Sequence, residues 1–146
     1  PTEISPPLED KIREVGQEYG TTTGRARRIG WIDLVQLKHA NQLNGFTELI
    51  LTKVDVLTGL PEVKMCIGYE LGGKKIDYVP ADLESFNNLK PIYETLDGWS
   101  SLPKHIENIN ECPTQLKAFI QKIEMFTGNK ISLISYGPDR NQTFAL

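Results

Sequence analysis

Leu116, Phe119, Ile120, Ile123 and Phe126 form one helical stripe between Pro113 and Gly128, and a six-residue run, KISLIS, begins two positions after that glycine. A stripe of this period buries one face of a helix. Proline is preorganised for the start of a helix and glycine for its end. The short run behind it is too brief for a helix and reads as a strand. The same alternation of elements recurs upstream. Ser5-Pro6 opens a helix over residues 6–19 that carries Leu8, Ile12, Val15 and Tyr19, with Gly16 as a weak point. Residues 31–44 read as a second helix, with Trp31, Ile32, Leu34, Val35 and Leu43 apolar and Gly45 as its stop. ELILT at 48–52 suits a buried strand. Val63, Met65, Ile67 and Tyr69 alternate as another strand, and Gly72-Gly73 turns residues 75–79 back on it as a hairpin. Residues 80–112, broken by Pro80, Pro91, Gly98 and Pro103, predict loops and short helices, 93–99 among them, as connecting structure over the sheet. Helix, strand, hairpin, helix, strand is an α/β order. In such folds ligands gather at the carboxyl ends of the strands.

Three motifs carry chemistry. The run Gly20-Thr21-Thr22-Thr23-Gly24-Arg25-Ala26-Arg27-Arg28 puts two glycines, three hydroxyls and three guanidiniums into nine residues. Glycine lets the backbone approach a ligand, and arginine forks match carboxylate or phosphate. The chain of 146 residues has a net charge of −3, so this cluster is a local device on a mildly acidic protein. It predicts a loop that closes over a small polyanion rather than a nucleic-acid surface. Thr52-Lys53-Val54-Asp55 follows the first strand and resembles the Asn/Thr-Lys-x-Asp sequence by which GTP-binding proteins read guanine. One carboxylate accepts guanine's N1–H and 2-amino donors together, whereas adenine offers no such pair. Ser135-Tyr136-Gly137 ends the last strand, where backbone N–H groups can meet a base carbonyl.

Other features narrow the class. Cys66 and Cys112 stand alone, without a CxxC pattern, and predict buried thiols in a reducing, cytoplasmic setting. His39 and His105 have no acid or nucleophile nearby and read as structural or surface residues. No apolar run reaches membrane-span length and no leader is visible. There is no GxxxxGK[ST] loop and no carboxylate cluster for a metal. The start at Pro1, in Pro/Glu/Ser-rich sequence, predicts a mid-protein beginning.

Together GTTTGRARRIGWIDLV, LTKVDVLTGLPEVKMCIGYE, PIYETLDGW and ISYGPDR resemble, in order, the C-terminal portion of the adenylosuccinate synthetase family. The resemblance runs from about Glu18 to Arg140. It implies that residues 1–146 are the C-terminal segment of a P-loop-NTPase-like α/β fold, a mostly parallel sheet flanked by helices with a β-hairpin. It implies a ligase of purine biosynthesis that joins IMP and L-aspartate at the expense of GTP, through a 6-phosphoryl-IMP intermediate. Thr21, Thr22, Thr23, Gly24, Arg25, Ala26 and Arg27 match the aspartate loop. Arg25 falls at the arginine that meets aspartate and the IMP ribose, and Arg27 at the one linked to aspartate and the GTP side. Lys53, Val54 and Asp55, with Ser135, Tyr136 and Gly137, match the guanine site. Ala26 stands where many relatives carry Arg, and Val54 where Leu is common. The family's phosphate loop, catalytic Asp, catalytic His and Mg²⁺ site fall outside these motifs. The resemblance therefore implies no catalytic and no metal-binding residue here, Mg²⁺ held by the N-terminal part, and a segment inactive alone. It further implies a cytoplasmic homodimer acting on small molecules, with no nucleic-acid or membrane partner. A free-standing guanine-nucleotide module and an anion clamp remain as alternatives. A sheet separated from a longer protein would also leave an open strand edge and an apolar face.

Overall fold

The stripe bracketed by Pro113 and Gly128 folds as expected. In a computed structural model, which describes residues 1–146, the helix runs Thr114–Thr127 and buries Leu116, Phe119, Ile120 and Ile123. Its place among the other elements follows chain order: α1 Leu8–Gly16, β1 Ile32–Asp33, α2 Leu34–Asn44, β2 Glu48–Leu51, β3 Glu62–Leu71, β4 Lys74–Ile76, α3 Leu83–Asn87, β5 Lys90–Asp97, α4 Thr114–Thr127, β6 Lys130–Ser135 and β7 Thr143–Ala145. Single 3₁₀ turns occupy Val54–Leu57 and Ile109–Glu111.

Two sheets result. In one, β3 pairs antiparallel with β5 on one edge, and with parallel β1 and antiparallel β4 on the other. In the other, β6 pairs parallel with β2 and antiparallel with β7. The α/β reading holds. The parallel pairings within this chain are β1–β3 and β2–β6, and the other three are antiparallel, so both sheets are mixed. The main core joins them: Leu116, Phe119 and Ile123 of α4 meet Val63 and Met65 of β3, Ile131 and Ile134 of β6, and Trp99. Trp99 and Phe119 pack edge to face with ring centroids 5.6 Å apart, and the Trp99 indole N–H donates to the Thr58 hydroxyl at 3.2 Å.

Several boundaries differ from the sequence expectation, each for a local reason. The first helix ends at Gly16, because Gln17 turns left-handed (φ 51°) and Tyr19 bridges to Ala26. Its cap position is Pro7, which offers no side-chain acceptor, so Ser5 is not the cap. Ile32 and Asp33 leave the second helix and pair with Met65 and Cys66. Asp33 instead caps it, accepting from the Gln36 N–H at 3.0 Å. The hairpin returns over three residues, 74–76, rather than five. β5 replaces the loops and short helices expected at 93–99, and lies in the sheet rather than over it. β2 is not buried: it pairs on one edge only, and Ile50 is 62% exposed. Both cysteines are free and buried, and burial pushes their thiols up from the ordinary range.

Asp33 has a second partner, the hydroxyl of the fully buried Tyr69. Burial and this carboxylate both push the Tyr69 phenol up. Asp33→Ala removes a cap, about 1 kcal/mol, and orphans a buried hydroxyl, about 1–3 kcal/mol. The expected loss, about 2–4 kcal/mol together, is read from the urea midpoint. A loss below 1 kcal/mol would mean that the hydroxyl finds another acceptor.

Candidate functional site

Parallel pairing aligns Leu51 with Ile134, so β2 and β6 end side by side. Their exits, 52–55 and 135–137, therefore share one edge of the sheet, although they lie far apart in sequence. Between them opens a cleft of about 480 Å³, lined by Thr52, Lys53, Asp55, Ser135 and Gly137, with Gly16 and Gln17 of the α1 exit closing one side.

The β2 exit is set by Lys53, whose backbone is left-handed (φ 60°, ψ 34°). A side chain costs about 1–2 kcal/mol in that conformation, and such strain concentrates at functional sites. The turn sends Val54 into the core, where it is almost fully buried, and leaves Lys53 and Asp55 on the cleft. Asp55 Oδ1 is buried without a hydrogen-bond partner. A carboxylate oxygen in that state is costly and is the acceptor a ligand donor would satisfy.

The β6 exit contributes less than its motif suggests. The Tyr136 side chain is in the core, where its hydroxyl accepts from the Ile106 N–H at 3.0 Å. Its own N–H donates to Gln142 O at 2.9 Å. Ser135 and Gly137 face the cleft, and the Ser135 hydroxyl donates to Gly137 O at 3.3 Å.

The basic loop is a tight hairpin. Gly20 N–H donates to Arg25 O and Gly24 N–H to Gly20 O, both at 2.8 Å, with Gly24 at φ 65°. The positive φ at Gly24 lets the chain reverse. Thr21, Thr22, Thr23, Gly24, Arg25, Ala26 and Arg27 are all exposed. Arg28 pairs with Glu3 at 2.9 Å and Arg27 with Glu18 at 2.8 Å, while Arg25 is exposed and makes no ion pair within the chain.

Glu18, which the sequence reading passed over, joins the loop to the cleft. Its carboxylate meets Arg27 and also the Lys53 ammonium. The Lys53 hydrogen bond, helped by Arg27, holds the Glu18 carboxyl below the ordinary range against the upward push of burial. Its neighbours in the motif give no signal of this, because Lys53 lies 35 residues downstream.

Lys53→Ala and Lys53→Gly both delete the ion pair, but only glycine takes φ 60° freely. The glycine variant is expected to be more stable by about 1 kcal/mol, measured as the difference between their urea midpoints. Equal midpoints would mean that the left-handed turn relaxes without cost.

An α/β protein with its cleft at the carboxyl ends of two parallel strands is the class that this fold and site define. The family model described as adenylosuccinate synthetase matches residues 1–144. Adenylosuccinate synthetase of Clostridium perfringens is 49% identical over 143 residues, covering 98% of this chain and 33% of the relative. That of Clostridium novyi is 47% identical over 146 residues, covering 100% and 34%. A solved structure described as fully ligated adenylosuccinate synthetase from Plasmodium falciparum superposes with a TM-score of 0.94 at 32% identity, covering 99% of this chain and 35% of that one. The chain belongs to the adenylosuccinate synthetase family, and it spans about a third of the length of the curated relatives it matches.

Proposed function

We propose that residues 1–146 supply the guanine pocket and the aspartate loop of a GTP-dependent ligase that joins IMP and L-aspartate into adenylosuccinate. The observation that carries this reading is the buried, unpartnered Asp55 oxygen at a cleft also lined by Lys53, Ser135 and Gly137. Guanine N1–H and its 2-amino group are the paired donors that such a carboxylate lacks. The Lys53 stem then lies along the base. Ser135 and Gly137 face the carbonyl edge of the base. Val54 and Tyr136, anchored in the core, hold the two backbones in place and do not read the base with their side chains.

In the reaction, IMP gives up its N1 proton to a base outside this segment and O6 takes the γ-phosphoryl group of GTP, leaving GDP. The aspartate amine then attacks C6 and gives up a proton to the solvent or the departing phosphate, and inorganic phosphate leaves with the C6–O bond's electrons. Phosphorylation turns a poor leaving group into a good one. The loop's part is positional. Thr21, Thr22, Thr23 and the Gly24 and Ala26 backbone surround aspartate. Arg25 binds its carboxylate and the IMP ribose, and Arg27 bridges aspartate to the GTP side. Binding both carboxylates by arginine leaves the amine free to attack. Mg²⁺, on this reading, is held by the N-terminal part of the longer enzyme. No helix is long and apolar enough to cross a membrane. The reading places the enzyme in the cytoplasm, as a homodimer acting on small molecules.

The test has two arms. Ligand-observed NMR with GMP and AMP at millimolar concentration, on the complete gene product, is expected to show selective saturation of GMP. Equal signals from both nucleotides would remove the guanine reading. In the second arm, the complete gene product is expected to form adenylosuccinate from IMP, L-aspartate, GTP and Mg²⁺, and the 146-residue chain to form none. Turnover by the 146-residue chain itself would overturn the division of labour proposed here.

A further inference from the structure

Two cavities meet at Lys53. One is the cleft beside Asp55; the other, of about 430 Å³, is walled by Glu18 and Trp31 and by Arg27 and Arg28 at the end of the basic loop. Lys53 lines both, whereas Glu18 and Arg27 line only the second. The partition is electrostatic: two cations are held by one carboxylate, with Glu18 Oε2 on Arg27 at 2.8 Å and Oε1 on Lys53.

The main chains around this triad are fixed. Arg27 N–H donates to Glu18 O at 3.0 Å, and Arg27 O accepts from the Arg13 side chain at 2.9 Å. Lys53 is pinned by its left-handed turn, and its ammonium also donates to Gly16 O at 3.0 Å. Only the charged tips are free to redistribute.

We propose that Glu18 is a positioning residue that couples the two subsites. This rests on the functional reading above. An anionic group arriving at the loop shares the Arg27 guanidinium, which weakens the hold of Glu18 on Arg27. The carboxylate then serves Lys53 more fully, pressing the ammonium against the wall with its stem along the cleft. A base stacked on that stem favours the same arrangement. Each ligand therefore tightens the other, by the same factor in both directions. Glutamine at this position keeps the shape but offers one acceptor oxygen, and its NH₂ group repels either cation, so it cannot serve both.

The test is a pair of calorimetric titrations on the complete gene product: L-aspartate with and without saturating GDP, then GDP with and without aspartate. For the unaltered protein a coupling factor of at least about 5 is expected, within the usual range for linked sites. For Glu18→Gln it is expected to fall to within about twofold of unity, while GDP alone still binds. A role confined to stability would lower the melting temperature and leave the factor intact. If Glu18→Gln does not fold, Glu18→Asp carries the test: it keeps the charge, falls one methylene short, and is expected to cut the factor at least threefold, on the order of what loss of one contact allows. GDP binding with a factor near unity in the unaltered protein, or an equal factor in the variants, would overturn the coupling alone. Failure of GDP to bind the unaltered protein would overturn the functional reading, and the coupling with it.

Discussion

Asp55→Asn is expected to lower the preference for guanine over adenine nucleotides by at least ten- to a hundredfold in the complete gene product. A hydrogen bond to a charged group is worth about 1.5–3 kcal/mol, roughly ten- to a hundredfold in affinity, and guanine offers two donors. Asparagine keeps one acceptor and turns an NH₂ group toward the other donor, so one bond is lost and a repulsion is gained. Xanthine carries an acceptor at C2 in place of the amine, and its nucleotide should bind the variant better than the unaltered protein does. Stability separates this from a structural role. Asp55 Oδ1 has no partner within the chain, so the free variant should melt no earlier than the parent. Competition binding with GMP, AMP and XMP reads the first effect, and a melt without ligand reads the second. Retained guanine preference, or an early melt, would remove Asp55 from the role of base reader.

Gly98→Ala should cost most in stability. A Cβ at Gly98 would lie 2.0 Å from the Leu60 carbonyl oxygen and 2.9 Å from its carbon. Both are backbone atoms, so no rotamer relieves the clash. The two segments are also fastened together, Gly98 N–H to Pro61 O at 3.0 Å and Gly59 N–H to Trp99 O at 2.8 Å. Relief therefore means shifting Trp99, whose indole ring sits on Phe119 in the core. Overpacking of this kind costs about 3 kcal/mol, a large part of the stability of an ordinary domain. A urea midpoint within experimental error of the parent would show that the 59–61 segment yields instead.

What the sequence revealed was what is local. α4 was legible to within a residue because its stripe, its opening proline and its closing glycine are all written in adjacent positions. The two strand-end motifs were legible as motifs, and their meeting in one cleft follows from the parallel pairing of β2 with β6. β5 was hidden because Pro91 breaks its pattern and because its pairing with β3 carries an irregularity near Cys66–Gly68. Its reason for being a strand is a partner elsewhere in the chain. The exposure of Ile50 was equally unreadable, since an apolar residue does not announce which edge of its strand lacks a neighbour. Tyr136 lies in a site motif, yet its ring belongs to the core, because alternation at the strand end turns it inward. Glu18 shows the same limit from the other side. Its importance is a tertiary contact with no sequence period.

The parallel pairing of β2 with β6 also sets an order of events during synthesis. Roughly eighty residues separate the two strands, which at about 5–20 residues per second is roughly 4–16 s of translation. Throughout that interval ELIL waits without its neighbour, in a chain where Ile50 stays exposed even afterwards. The Asp55 turn has nothing to face until Ser135 and Gly137 emerge. A nascent chain halted within this window would hold the glycine-threonine-arginine loop and half of the cleft, and its ELIL segment would be a natural target for a holding chaperone.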